Sequence, residues 1–137
     1  MGGDERQESF PYLTPYVLCM LVHSWTVNPL VFMYPLGYNM LVIEVRQTDK
    51  YSEWFDALHD GQARARINAR IRRLSLGNPG DVKPVGEGVS ELRIDYGPGY
   101  RVYFTQRGCE VVILLAGGDK RTQDRDIKTA LDLARNL

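Results

Sequence analysis

Between Val89 and Ala116 the chain has little choice of conformation. From Val89 to Tyr96 the residues alternate, with Leu92, Ile94 and Tyr96 on one face of an extended segment and Glu91, Arg93 and Asp95 on the other. Gly97-Pro98-Gly99 breaks that segment as a turn. Tyr100 to Gln106 alternates again, with Val102 and Phe104 opposed to Arg101, Tyr103 and Thr105. A second turn at Arg107-Gly108 leads into the continuous apolar run Val111 to Ala116, which suits a strand inside a sheet. Two hairpins in succession make an antiparallel meander, so the fold has to be built around a sheet.

Helical periods flank the meander. Leu41 to Gln47 is a β-rich run, and Thr48-Asp49 offers an N-cap for a helix with Tyr51, Trp54, Phe55 and Leu58 at i, i+3, i+4 and i+7. Asp60-Gly61 breaks this helix. The next one buries Ala63, Ile67, Ile71 and Leu74, carries Arg64, Arg66, Arg70, Arg72 and Arg73 on the remainder, and ends at Gly77-Asn78-Pro79-Gly80. After Gly117-Gly118-Asp119 a last helix is capped near Thr122, with Asp124 and Asp126 in its first turn and Ile127, Ala130, Leu131 and Ala134 as its stripe. The expected class is α+β, in the order β-α-α-β-β-β-α, a mainly antiparallel sheet with helices on one face and the other face free for a ligand.

Residues 1–40 read differently from residues 41–137. No Asp, Glu, Lys or Arg occurs in the 35 residues from Ser9 to Ile43, and Pro11, Pro15, Pro29 and Pro35 interrupt every potential helix or central strand. Their apolar residues follow neither period 2 nor period 3.6. This segment is a packing extension, an apolar arm for a partner, or translated upstream sequence with Met40 as the natural start; the sharp break at Met40 favours the last.

The formal net charge of zero conceals this division. Residues 41–137 carry sixteen basic and fourteen acidic groups, and Arg64 to Arg107 carries nine against four, a local net of +5. Cys19 and Cys109, ninety residues apart, are too few for the cysteine pattern of a disulfide-rich domain and give no CxxC metal signature. The longest apolar run, Tyr16 to Val22, is far short of the roughly 20 residues that span a bilayer. The opening Met-Gly-Gly-Asp-Glu-Arg-Gln-Glu lacks the basic start of a secretory signal, so a cytoplasmic location is expected.

Common catalytic signatures are missing. His23 lies in the N-terminal segment and His59 at a helix end suited to a solvated role, which argues against Ser-His-Asp and Cys-His chemistry. There is no HExxH, and Gly117-Gly118-Asp119-Lys120 lacks the glycine spacing of a phosphate-binding loop. What remains is cations at strands and strand ends. In a hairpin register whose paired numbers sum to an even value, Arg93 and Arg101 share a face, opposite Leu92, Ile94, Val102 and Phe104. With Lys83, Lys120 and Arg121 they could hold phosphates while Tyr96, Tyr100 and Tyr103 flank them. The alternative is a row of cross-strand ion pairs with Glu91 and Asp95. Likewise Arg64, Arg70 and Arg73 are either a nucleic-acid patch or a solvated helix face.

Glu91-Leu92-Arg93, Gly97-Pro98-Gly99-Tyr100-Arg101-Val102-Tyr103-Phe104 and Leu115-Ala116-Gly117-Gly118-Asp119-Lys120-Arg121-Thr122-Gln123-Asp124-Arg125-Asp126-Ile127-Lys128 resemble the RelE/ParE toxin superfamily. Within it they resemble the phage-derived, HigB-like addiction module killer proteins, over about residues 41–137. The resemblance implies the toxin of a type II toxin–antitoxin pair, a ribosome-dependent mRNA endoribonuclease needing neither metal nor cofactor. It implies a cognate antitoxin partner, often of helix-turn-helix type. On this sequence it makes Arg101 the phosphate-stabilising arginine, Arg93 the preceding basic strand position, and Lys120 and Arg121 the acid or phosphate ligands, with Lys83 a further candidate. The tyrosine that RelE carries early in its last helix is Ile127 here, so Tyr96 or Tyr103 is expected to stack on the base. The ParE branch, which inhibits DNA gyrase by contact, and an inactive antitoxin-binding member are the alternative readings.

Overall fold

The computed structural model describes residues 43–137. The reading of residues 1–40 as an extension or a leader lies outside them. In chain order the elements are β1 (Glu44–Gln47), α1 (Asp49–Asp56), α2 (Gly61–Ser75), β2 (Val82–Gly86), β3 (Val89–Ile94), β4 (Tyr100–Arg107), β5 (Val111–Gly118), a 3₁₀ turn (Lys120–Thr122) and α3 (Gln123–Arg135). They form an α+β domain whose five-stranded sheet has the order β1-β5-β4-β3-β2. β1 runs parallel to β5, and every other neighbouring pair is antiparallel.

Local chemistry explains the helix starts. Thr48 caps α1 by accepting from the Tyr51 N–H, and Asp60 caps α2 by accepting from the N–H groups of Gln62 and Ala63. Asp60-Gly61 therefore both separates the two helices and starts the second. Thr48 also donates its hydroxyl to the Leu115 carbonyl at 2.6 Å, which fixes α1 against β5.

Three features differ from the sequence expectation. Lys83 does not precede the sheet but lies in β2, an edge strand whose Pro84 disguises it; an edge tolerates proline because no neighbour needs the missing N–H. β2 reaches β3 through Glu87-Gly88, both at positive φ (51° and 75°), the backbone of a primed hairpin turn. Second, β5 runs on through Gly117-Gly118 instead of stopping at Ala116.

Third, helices cover both faces of the sheet. Neighbouring strand residues point to opposite sides. At Gly117 the space a side chain would take is filled by the Trp54 ring of α1, and at Gly118 by the Asp126 carboxylate of α3. α1 and α2 therefore lie over the face of Leu92, Ile94, Val102 and Phe104, burying Tyr51, Ala63, Ile67 and Leu74. α3 lies over the face expected to be free, where Ala130 and the partly buried Ile127, Leu131 and Ala134 pack with Val89, Tyr103, Ile113 and Leu115. The charges on that face leave room for it because they cluster at one end and pair with one another.

Candidate functional site

The site grows from one register. β3 and β4 pair so that Arg93 stands opposite Arg101, Glu91 opposite Tyr103, and Leu92 opposite Val102. The first pair sums to an even number, so the two arginines share the α3 face. β2 adds a third cation there, since Lys83 pairs with Glu91 and is exposed. Like charges placed directly opposite one another destabilise a sheet unless an anion lies between them.

Glu91 is that anion, and it is fully buried. Its Oε1 accepts from Arg93 Nε at 2.9 Å and lies 3.3 Å from Arg101 Nε. Its Oε2 accepts from Gln123 Nε2 at 2.8 Å, at the first residue of α3. Burial pushes the Glu91 carboxyl up, but the hydrogen bonds from Arg93 and Gln123 and the charges of Arg101 and Arg93 hold it below the usual range. The cross-strand ion pairs considered from sequence are thus present for Glu91. Asp95, on the same face, is exposed and makes no ion pair among the described residues.

The β3–β4 turn and the end of β5 bring the remaining cations close. Arg101 Nη1 donates to the Gly99 carbonyl at 2.7 Å. Gly99 has φ 78°, and a Cβ built there would lie 3.3 Å from Arg101 Nη1 and 3.7 Å from Lys120 Cβ, so this turn touches both cations. Arg101 pairs with Gly118, which leads directly through Asp119 into the 3₁₀ turn of Lys120 and Arg121. Asp119 caps that turn, accepts from the Arg121 N–H, and binds Arg121 Nη2 at 2.9 Å. These Arg121 contacts keep the Asp119 carboxyl below its usual range. Lys120 is exposed and has no ion pair among the described residues. An open depression of about 370 Å³ continues along the start of α3, lined by residues 120–125.

Arg93, Arg101 and Lys83 therefore share one face of the sheet, and Lys120 and Arg121 lie in the turn that follows the strand end beside Arg101. The other candidates do not join them as expected. Tyr103 is fully buried beneath α3, with its hydroxyl near Glu91 but not aligned to hydrogen-bond, so it cannot stack on a base. Tyr96 is half-buried, donates its hydroxyl to Asp60 Oδ2 at 3.0 Å, and has the Arg66 guanidinium 4.7 Å from its ring centre. The arginines of α2 sit on the far side of the sheet. Arg64 lies 4.9 Å over the Phe55 ring, and Arg70 gives Nη2 to the Pro79 and Asp81 carbonyls at 3.0 and 3.2 Å, which makes it a loop anchor. Arg73 is exposed on the same helix. Sequence reasoning missed Glu91 and Gln123 as site residues. The i, i+2 spacing of Glu91 and Arg93 was a signal for the first, whereas Gln123 has none until α3 is placed over the sheet.

The fold and this cluster define a class: an α+β domain that gathers cations at one end of a largely antiparallel sheet. Residues 53–137 match the sequence model of the family described as "Phage derived protein Gp49-like (DUF891)". The chain belongs to this Gp49-like phage-derived family, whose proteins are of the addiction-module toxin type. Over 97 residues it is 50% identical to an uncharacterized protein of Haemophilus influenzae, covering 71% of this chain and 98% of the relative. No solved structure matches it. Among the described residues no helix is long and apolar enough to cross a membrane.

Proposed function

We propose that the protein is the toxin of a type II toxin–antitoxin module, and that it acts in the cytoplasm by cleaving mRNA on the ribosome without a metal ion. The observation that carries this reading is the placement of Arg93 and Arg101 opposite one another, with Lys120 at the adjoining strand end. A strand-to-strand arginine pair with a lysine beside it matches the charge that develops on a phosphate under attack. In this chemistry the ribose 2′-oxygen attacks the neighbouring phosphorus and passes its proton to water. The P–O5′ bond breaks, leaving a 2′,3′-cyclic phosphate, and the departing O5′ takes up a proton. Arg101 and Arg93 hold the non-bridging oxygens, Lys120 serves the leaving oxygen, and Arg121 and Lys83 hold flanking phosphates. The partner that silences it is a cognate antitoxin of the helix-turn-helix type, encoded by the adjacent gene.

The test is induction of the full chain in growing cells, followed by primer extension on mRNA with and without ribosomes. The expected result is growth arrest with ribosome-dependent cuts, both relieved by Arg101→Ala and by the Lys120→Ala, Arg121→Ala pair. Cleavage of naked RNA at the same positions overturns the ribosome requirement. Growth arrest with gyrase-linked DNA breaks and intact mRNA transfers the protein to the gyrase-inhibiting branch.

A further inference from the structure

We propose that Glu91 is a positioning residue: its buried carboxylate sets Arg93 and Arg101 as one anion clamp and ties that clamp to the start of α3. This rests on the RNA-cleaving reading above. A carboxylate with no exposed surface is an expensive occupant for a sheet position, and Val89, two residues earlier on the same face, shows that an apolar residue can be buried there. The three polar partners of Glu91 indicate what its charge does. The carboxylate accepts a hydrogen bond from Arg93 Nε and pairs by charge with Arg101, whose Nε lies 3.3 Å away without being aligned to hydrogen-bond. The Arg93 side chain makes no other hydrogen bond among the described residues, and Arg101 gives one terminal nitrogen to Gly99. The Arg93 terminal nitrogens thus make no hydrogen bond among the described residues and its side chain is 36% exposed, so an incoming phosphate can meet them, whereas Arg101, 12% exposed, is the more buried half of the clamp.

The second oxygen extends the control. Oε2 holds Gln123, and Lys120 and Arg121 occupy the turn immediately before it. One side chain thereby sets the Arg93–Arg101 spacing and the position of the Lys120 turn relative to both. Positioning and simple neutralisation predict different outcomes. If Glu91 only cancelled charge, its removal would strengthen anion binding and leave or raise the cleavage rate. If it positions, removal spares binding but misaligns the clamp in the transition state.

The experiment uses the full chain carrying Glu91→Gln, Glu91→Asp or Gln123→Ala. It measures thermal unfolding, single-turnover cleavage of mRNA on ribosomes, and binding of the same mRNA with a 2′-deoxy nucleotide at the cut. In folded Glu91→Gln the cleavage rate is expected to fall about 10²-fold, as for an ångström-scale misplacement, while binding of the deoxy mRNA is not weakened. Glu91→Asp restores part of the rate, and Gln123→Ala gives an intermediate loss. A folded Glu91→Gln with an unchanged rate, or a loss that only tracks the unfolded fraction, overturns the proposal. If Glu91→Gln does not fold, Gln123→Ala decides, and an unchanged rate there is the negative result. If the wild-type protein cleaves no mRNA, the functional reading fails and arginine side-chain NMR decides the positioning claim by itself. The Nε–H signals of Arg93 and Arg101 must then be slow to exchange in the wild type and lose that protection in Glu91→Gln or, should that variant not fold, shift in Gln123→Ala.

Discussion

Gly118→Ala should destabilise the protein far more than a one-carbon change in a strand suggests. Gly118 does not have a positive φ, so glycine is needed for space and not for backbone freedom. A Cβ there would fall on Asp126 Oδ2, 2.7 Å from Asp126 Cγ and 3.0 Å from Thr122 Oγ1. Asp126 is buried and hydrogen-bonded to Thr122, so it has to rotate and lose that bond. Overpacking costs about 1–3 kcal/mol and losing a hydrogen bond to a charged group about 1.5–3, against roughly 0.5–1 recovered by replacing glycine in a strand. The net is a loss of about 1.5–5.5 kcal/mol, or a fall in Tm of at least about 6 °C for a domain of this size. Urea denaturation of Gly118→Ala, Asp126→Ala and the double variant measures it. In the Asp126→Ala background the added methyl should cost little, giving a coupling of about 1–3 kcal/mol. A Gly118→Ala variant within about 0.5 kcal/mol of wild type, or an equal penalty in both backgrounds, refutes the assignment of α3 to this face.

Other substitutions probe the same packing. Tyr103→Phe removes a buried hydroxyl that has no aligned partner, so the unfolding free energy from urea denaturation should stay level or rise by up to about 1 kcal/mol; a loss of more than that means the hydroxyl is bonded in solution. The same variant should bind RNA as well as wild type, because Tyr103 is out of reach of a ligand. Thr48→Ala loses both the α1 cap and the bond to Leu115 and should cost about 1–2 kcal/mol, with Thr48→Ser close to wild type. The Glu91 carboxyl is held below its unfolded value of about 4.3, so its contribution is complete above that pH and disappears as pH falls through the lower folded value. Stability measured against pH should drop less steeply on the acid side in Glu91→Gln; parallel curves would show that Glu91 is not the group responsible.

Most of the fold was legible because each signal was local. The alternation in β3 and β4, the Gly97-Pro98-Gly99 turn, the Thr48 cap and the apolar stripe of α2 all act within one element, where side-chain period and backbone sterics decide the outcome. Two of the differences depended on relations between elements, while the run of β5 through Gly117-Gly118 was a matter of one strand's end. β2 was hidden because Pro84 argues against a strand unless that strand is known to be an edge, which its own residues do not reveal. The side taken by α3 was hidden because a polar face reads as solvent-exposed, whereas here Glu91 neutralises the face at one end and Val89, Tyr103, Ile113 and Leu115 make it apolar at the other.

The same distinction separates the cations that gather from those that do not. Arg93, Arg101 and Lys83 come together because strand register is set by period 2, and Lys120 joins them because a short turn follows β5. Arg64, Arg70 and Arg73 have just as much charge, but α2 crosses the opposite face, and Arg70 spends its guanidinium on two loop carbonyls. Local charge density therefore overstated the basic patch: the +5 segment from Arg64 to Arg107 is divided between the two faces of one sheet. Under the proposed function, an RNA phosphate entering from the α3 side meets the strand arginines, the lysines beside them and the Arg121 and Arg125 side of the α3 start. Charge reversal at Arg73 should thus alter general RNA affinity without changing where mRNA is cut, whereas a change at Arg101 should abolish the cut itself.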